Sequence, residues 1–294
     1  MTRNINSTII KIQTPKGFLL NGLLLGPEKA KTAYIFIHGL GGSLFSQTEL
    51  LYKLASENSS VLTFDNRGNA VVKTVFQNYP RNSKKYKKHI IGSAHEVFAD
   101  CLDDIDGAVQ YAINLGAKNI FLVGHSTGCQ KSIYYLAKRI KTQVKGAVLL
   151  APMSDFADTY AYTGRKMYNK AVLYSKKLVS RGKPHELLPL NVWPDLIDAQ
   201  RFLSLYTPDS TEEIFSYASK KKPTLLINNK KPVLVILAAN DQFTDRPMID
   251  ISNWFKEALK NNKHQINMIK EAPHNFLGQA NVLQKIVKNW TAKV

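Results

Sequence analysis

Phe121-Leu122-Val123-Gly124-His125-Ser126-Thr127-Gly128 joins an apolar, strand-favouring run to a Gly-x-Ser-x-Gly pentapeptide, and helix-spaced apolar residues continue to about Ile140. A residue held between strand and helix at so sharp a turn is forced into strained backbone geometry, and small neighbours such as Gly124 and Gly128 keep the surrounding chain from colliding with it. The strain exposes the Ser126 hydroxyl and makes it a candidate nucleophile. A glycine-rich strand-to-helix turn also serves as a phosphate cradle or as plain tight packing, so the flanks have to decide.

Reading outward from this turn, strand and helix patterns alternate on both sides. Upstream, Thr8 to Thr14 and Phe18 to Leu25 flank Pro15-Lys16-Gly17 and predict an opening antiparallel hairpin. Ala33 to Ile37 is a short buried strand ending in His38-Gly39-Leu40-Gly41-Gly42. A helix with Leu50, Leu51, Leu54 and Ala55 follows it. Val61 to Phe64 is the next strand. A polar and basic stretch then runs to about Ser93, followed by a helix from His95 to Leu115. Downstream come strand Val144 to Leu150, strand Val233 to Leu237, a helix through Trp254 to Leu259, strand Gln265 to Ile269 and a last helix to Trp290. Strands separated by helices require crossover connections, so the expected class is α/β: a doubly wound, mostly parallel sheet with helices on both faces. Between Met153 and Pro223 the alternation stops. Because strands on either side are needed to complete one sheet, residues 1–152 and 224–294 are expected to form the core and 153–223 an inserted cap.

A serine hydroxyl is a weak nucleophile at neutral pH and needs a base held in the right tautomer by a third group. His274, in the loop after strand Gln265 to Ile269, is the candidate base, ahead of His89, His95, His185 and His264, which lie in basic or helical surroundings. Asp241, just past strand Val233 to Leu237, is the candidate orienting acid in preference to Asp245. Asp155, beyond the strand that ends at Leu150, is the competitor, since an acid can reach the histidine from a neighbouring strand end. Either carboxylate could instead cap the helix that follows it. Attack on an ester creates an oxyanion, which backbone N–H groups fixed at its position stabilise. The N–H of Thr127, directly after the serine, and that of Leu40, in the glycine-rich turn, are the candidates for that oxyanion hole.

Composition narrows the function classes further. With 294 residues and 44% apolar content the chain can bury a substantial core. No apolar stretch reaches the roughly 18 residues a membrane span needs, and the first 14 residues lack a signal-peptide core, so a soluble, cytoplasmic protein is expected. Cys101 and Cys129 fall in helical patterns with no second Cys or His at zinc spacing. They are expected to be reduced core residues, with no metal and no cofactor. The formal charge of +18 attracts anionic partners. The absence of any helix-turn-helix, RNP-type strand or zinc finger argues against nucleic acid. The concentration at Arg81, Lys84, Lys85, Lys87, Lys88 and His89 starts at the edge bearing the candidate site. It is either a solvated loop or a means of drawing anionic or amphiphilic esters, or an anionic membrane surface, toward the mouth.

In the order Ser126, Asp241, His274, in the His38-Gly39 turn and in the position of the insertion, the chain resembles the α/β-hydrolase superfamily over nearly its whole length. Gly124-His125-Ser126-Thr127-Gly128-Cys129-Gln130, Ala151-Pro152-Met153-Ser154-Asp155 and Ala199-Gln200-Arg201-Phe202-Leu203-Ser204-Leu205 resemble a fungal, plant and bacterial branch that includes siderophore esterases. That branch also holds members without an assigned substrate. The resemblance implies metal-free hydrolysis of a carboxylic ester through an acyl-serine, and in the finer match an ester of a hydroxamate siderophore. Ala238 departs from commoner hydrolases, many of which have Gly there. The alternatives to hydrolysis are acyl transfer to an alcohol or amine through the same residues, and a non-catalytic binding protein on the same fold.

Overall fold

A computed structural model describes residues 5–79, 84–260 and 264–294. Strands β1 (Ser7–Gln13) and β2 (Leu19–Leu25) form the expected antiparallel hairpin, with Ile10 opposite Gly22. They open an eight-stranded sheet completed by β3 (Thr32–Ile37), β4 (Ser59–Phe64), β7 (Asn119–His125), β8 (Val144–Leu150), β9 (Val233–Ala238) and β10 (Gln265–Ile269). The strand order is β1-β2-β4-β3-β7-β8-β9-β10, antiparallel at the first two pairings and parallel from β4 to β10.

The parallel strands read as unbroken apolar runs because both faces of the sheet are covered. Along β7, Ile120 and Leu122 enter one core cluster and Phe121 and Val123 the other. Along β3, Ala33, Ile35 and Ile37 alternate with Tyr34 and Phe36 in the same way. Helices α2 (Cys101–Asn114), α3 (Thr127–Lys138) and α8 (Met248–Ala258) cover the first face; α1 (Thr48–Leu54) and α9 (Ala280–Thr291) cover the second. Each fully buried Leu or Val stabilises by about 1.5–3 kcal/mol, so the site rests on a rigid sheet. Cys101 and Cys129 are free and buried in that core, as expected.

The chain adds β4 to one side of β3 and later β7 to the other. Such a reversal of direction leaves a crevice beyond the carboxyl ends of the strands, and Ser126 follows β7 at that place.

Two segments differ from the sequence expectations. The polar stretch after β4 is not a loop but a second sheet, in which β5 (Lys73–Asn78) pairs antiparallel with β6 (Tyr86–Ile91). Arg81 lies outside the described residues. The helix expected from His95 begins at Cys101, after a 3-10 turn at Phe98–Asp100. His95 and Glu96 point instead toward partners in the segment between β8 and β9. That segment contributes no strand to the main sheet; it contains α4 (Asp155–Thr163), α5 (Arg165–Ser180), α6 (Ala199–Tyr206) and the short α7 (Thr224–Ile227). It has a small core of its own, in which Trp193 meets Phe202 edge-on with ring centres 4.9 Å apart.

Candidate active site

Ser126 sits between β7 and α3 with φ 54° and ψ −126°, a conformation that costs about 1–3 kcal/mol for a residue with a side chain. The surrounding glycines make the turn possible. A Cβ on Gly128 would lie 2.0 Å from the Ile37 carbonyl oxygen, and one on Gly39 would lie 2.8 Å from the Ser126 Cβ. The ends of β3 and β7 therefore approach each other as closely as backbone allows. The turn after β3 and the hydroxyl of Ser126 face one cavity of about 580 Å³.

His274 comes to that cavity from the loop after β10, and its Nδ1–H donates to Asp241 Oδ2 at 2.7 Å. Both side chains are almost completely buried. Asp241 Oδ1 accepts the Phe243 N–H at 3.0 Å, and the Phe243 ring stands edge-on to the imidazole at 5.0 Å. The competing acids are occupied elsewhere. Asp155 accepts from Gln130 Nε2 at 2.7 Å, and Asp245 is paired with Arg246 at 2.7 Å. Burial, with Glu212 and Glu213 nearby, pushes the Asp155 carboxyl well above the usual carboxylate range. The carboxylate in hydrogen-bond contact with the imidazole is that of Asp241, so the geometry favours Asp241.

Two further histidines shape the site. His125, the last residue of β7, donates from Nε2 to the backbone carbonyl of His274 at 2.9 Å, with the rings 5.0 Å apart. It ties the base's loop to the strand that carries the serine. Burial and the neighbouring His274 lower its pKa to about 4. The sequence signal for it was its place beside Ser126, but its pairing spans 149 positions and shows only in the fold. His38, fully buried, donates from Nδ1 to the Gly39 carbonyl at 2.8 Å and accepts the Asn66 N–H on Nε2 at 3.1 Å. The turn carrying Leu40 is thereby fixed from beneath. Burial and Lys131 hold His38 neutral, with a pKa of about 4.

Leu40 lines the cavity, whereas Thr127, the first residue of α3 directly after Ser126, is not among its lining residues. The opposite wall comes from the segment after β8, through Met153, Asp155, Asp158, Thr159 and Tyr206. A larger cavity of about 680 Å³ lies between Phe98, Tyr134, Tyr168 and Leu203, and among the described residues no histidine or cysteine lines it. Among the described residues no group of His, Cys, Asp and Glu is arranged to hold a metal ion, and no helix is long and apolar enough to cross a membrane.

With this geometry in view, three comparisons place the chain. The UPF0613 protein of Schizosaccharomyces pombe is 24% identical over 201 residues, covering 59% of this chain and 63% of that protein. This chain thus spans less than two thirds of that relative. A Mycoplasma genitalium protein, provisionally named an esterase/lipase, is 25% identical over 239 residues, 78% of this chain and 79% of its own length. The siderophore hydrolase EstB of Aspergillus fumigatus superposes with a TM-score of 0.67 at 17% identity, over 98% of both chains. At that identity the likeness is one of fold, and the fold is that of the α/β-hydrolases. A family model matches residues 28–292, and the chain belongs to the family described as "Protein of unknown function (DUF1749)".

Proposed function

We propose that the chain is a serine hydrolase that cleaves a carboxylic ester through an acyl-serine. The observation that carries this reading is the 2.7 Å bond from His274 Nδ1 to Asp241, beside a strained Ser126 that opens on the same cavity as His274. With Nδ1 protonated and held by Asp241, His274 Nε2 is an acceptor and takes the Ser126 proton as Oγ attacks the ester carbonyl. The carbonyl oxygen becomes an oxyanion, stabilised by the N–H groups of Leu40 and Thr127. His274 then gives the proton to the departing alcohol. Water repeats the sequence on the acyl-serine and frees the acid. The Mycoplasma relative, provisionally named an esterase/lipase, supports an ester as substrate, and the siderophore hydrolase EstB supports hydrolysis.

Residues 153–223 act as a cap that walls the acyl or alcohol subsite. That wall holds Asp158, and among the described residues no Lys or Arg lines the cavity. Inside the pocket the charge balance therefore favours a neutral or cationic ester over an anionic one, in spite of the basic exterior. The test is labelling by a fluorophosphonate, together with turnover of p-nitrophenyl esters of graded chain length. Wild type is labelled, and Ser126→Ala is not. Ser126→Ala also loses about four to six orders of magnitude in turnover while keeping its fold. A folded Ser126→Ala that keeps most of its activity refutes the assignment.

A further inference from the structure

One basic segment plays no part in the chemistry proposed above: the sheet β5–β6. Its register sets two faces. Val75 opposite His89 looks inward, where Val75 is buried and the His89 ring lies 5.0 Å from Phe18. Thr74 opposite Ile90, Phe76 opposite Lys88 and Asn78 opposite Tyr86 look outward. On that outer face Phe76 is 44% exposed, Tyr86 59% and Ile90 70%. The Phe76 and Tyr86 rings meet edge-on at 6.2 Å, so the face is ordered and apolar, not a set of scattered side chains. Lys88 shares it, and Lys84, just before β6, is exposed.

We propose that the outer face of β5–β6 docks on an anionic lipid bilayer. Ammonium groups on long stems reach headgroup phosphates, while an aromatic pair and an aliphatic side chain enter the interface between headgroups and acyl chains. A formal charge of +18 supplies the long-range attraction to such a surface. Nucleic acid fits less well. Bases stack on aromatic rings but gain nothing from an exposed Ile90.

The position of the hairpin joins docking to the cavity. Asn69, four residues before β5, donates from Nδ2 to the Gly42 carbonyl at 2.7 Å, and Lys73 at the start of β5 pairs with Asp65 at 2.9 Å. Gly42 lines the cavity, and exposed Phe45 lies between it and cavity-lining Ser46. A bilayer held by the hairpin would lie beside the mouth.

Sedimentation with vesicles tests this, using phosphatidylcholine alone and phosphatidylcholine with about one third phosphatidylserine. The protein is expected to sediment with the mixed vesicles and not with pure phosphatidylcholine. Changing Phe76, Tyr86 and Ile90 together to Ser is expected to weaken binding about tenfold or more at unchanged melting temperature. Ile90→Ser alone gives a smaller loss in the same direction. Lys84 and Lys88 changed to Gln remove the preference for phosphatidylserine. Equal binding to both vesicles, or wild-type binding by the apolar triple variant, overturns the proposal. So does tighter binding to a single-stranded oligonucleotide that the apolar triple variant loses, which would make the face a nucleic-acid surface. Ester turnover in solution, read separately, reports on the hydrolase assignment and not on docking.

Discussion

Asp241 and Asp155 stand at the ends of neighbouring strands, and only their partners distinguish them. Asp241 holds the Nδ1–H of His274, whereas Asp155 takes a hydrogen bond from Gln130. Asp241→Asn therefore removes the charge partner and the preferred tautomer of the imidazole, at an expected cost of up to about ten-thousand-fold in kcat. Asp155→Asn keeps an acceptor for Gln130 and is expected to change kcat less than about tenfold. Parallel ester assays giving the opposite order would move the orienting role to Asp155. His38 carries a prediction about pH. Its pKa falls to about 4 in the fold against an ordinary value of 6.5, because burial and Lys131 oppose a proton there. Above pH 6.5 it is neutral folded or unfolded and adds no pH dependence. Between 6.5 and 4 the unfolded chain binds a proton that the folded chain refuses, so stability falls as pH falls. His38→Gln, which can still accept the Asn66 N–H, lacks this titration. Relative to that variant, wild type is expected to lose up to about 3 kcal/mol between pH 6.5 and 4, with a constant difference above 6.5. Parallel denaturation curves down to pH 4 would contradict it.

At the scale of elements, α3 and α6 are joined by a buried run of charges. Lys131 on α3 meets Glu96 at 2.6 Å, Glu96 meets Arg201 on α6 at 2.8 Å, and Arg201 continues to Glu212, which also accepts from Ser204. Burial raises the pKa of Glu96, but Lys131 and Arg201 outweigh it and hold the group near 2. Removing one member of such a buried set leaves its partners uncompensated. Arg201→Met is thus expected to cost about 3–5 kcal/mol and to expose the 153–223 segment to limited proteolysis before the sheet unfolds. A variant melting within a degree or two of wild type would show that water already solvates the run. None of this was legible in the sequence, since Glu96 and Arg201 lie far apart in the chain and charged residues are rarely fully buried unless paired. The strands were legible for the opposite reason. β3, β7, β8 and β9 are covered on both faces and so consist almost wholly of apolar residues. β5 and β6 bury one face of a two-stranded sheet and fill the other with Lys, Thr and aromatic residues, which blurs the period-two signal into a basic loop. Ser126, Asp241 and His274 could be singled out as candidates because each follows a legible strand. His125 and His38 could not, because their roles depend on contacts to backbone elsewhere.

On the scale of the whole molecule two fields act in opposite directions on an approaching anion. The 40 Lys and Arg against 22 Asp and Glu give a basic exterior, while the cavity wall carries Asp158 and, among the described residues, no Lys or Arg. Distance and salt separate the two. Raising salt to about 0.5 M shortens the Debye length to about 4 Å, which removes attraction from the exterior. A carboxylate in a half-buried wall acts over a few ångströms through protein and is screened much less. For an anionic ester kcat/KM is therefore expected to fall as salt rises, while a neutral ester of equal chain length barely responds. Asp158→Asn, assayed at mildly alkaline pH because burial and the nearby Asp241 raise the pKa of Asp158, removes the inner repulsion alone. The anionic ester should then gain about threefold to tenfold over the neutral one, by the same factor at low and at high salt. The salt response of the anionic ester should persist in the variant, since the exterior is unchanged. If high salt instead abolishes the gain from Asp158→Asn, Asp158 acts as one more surface charge, and the cavity does not select its ester by charge.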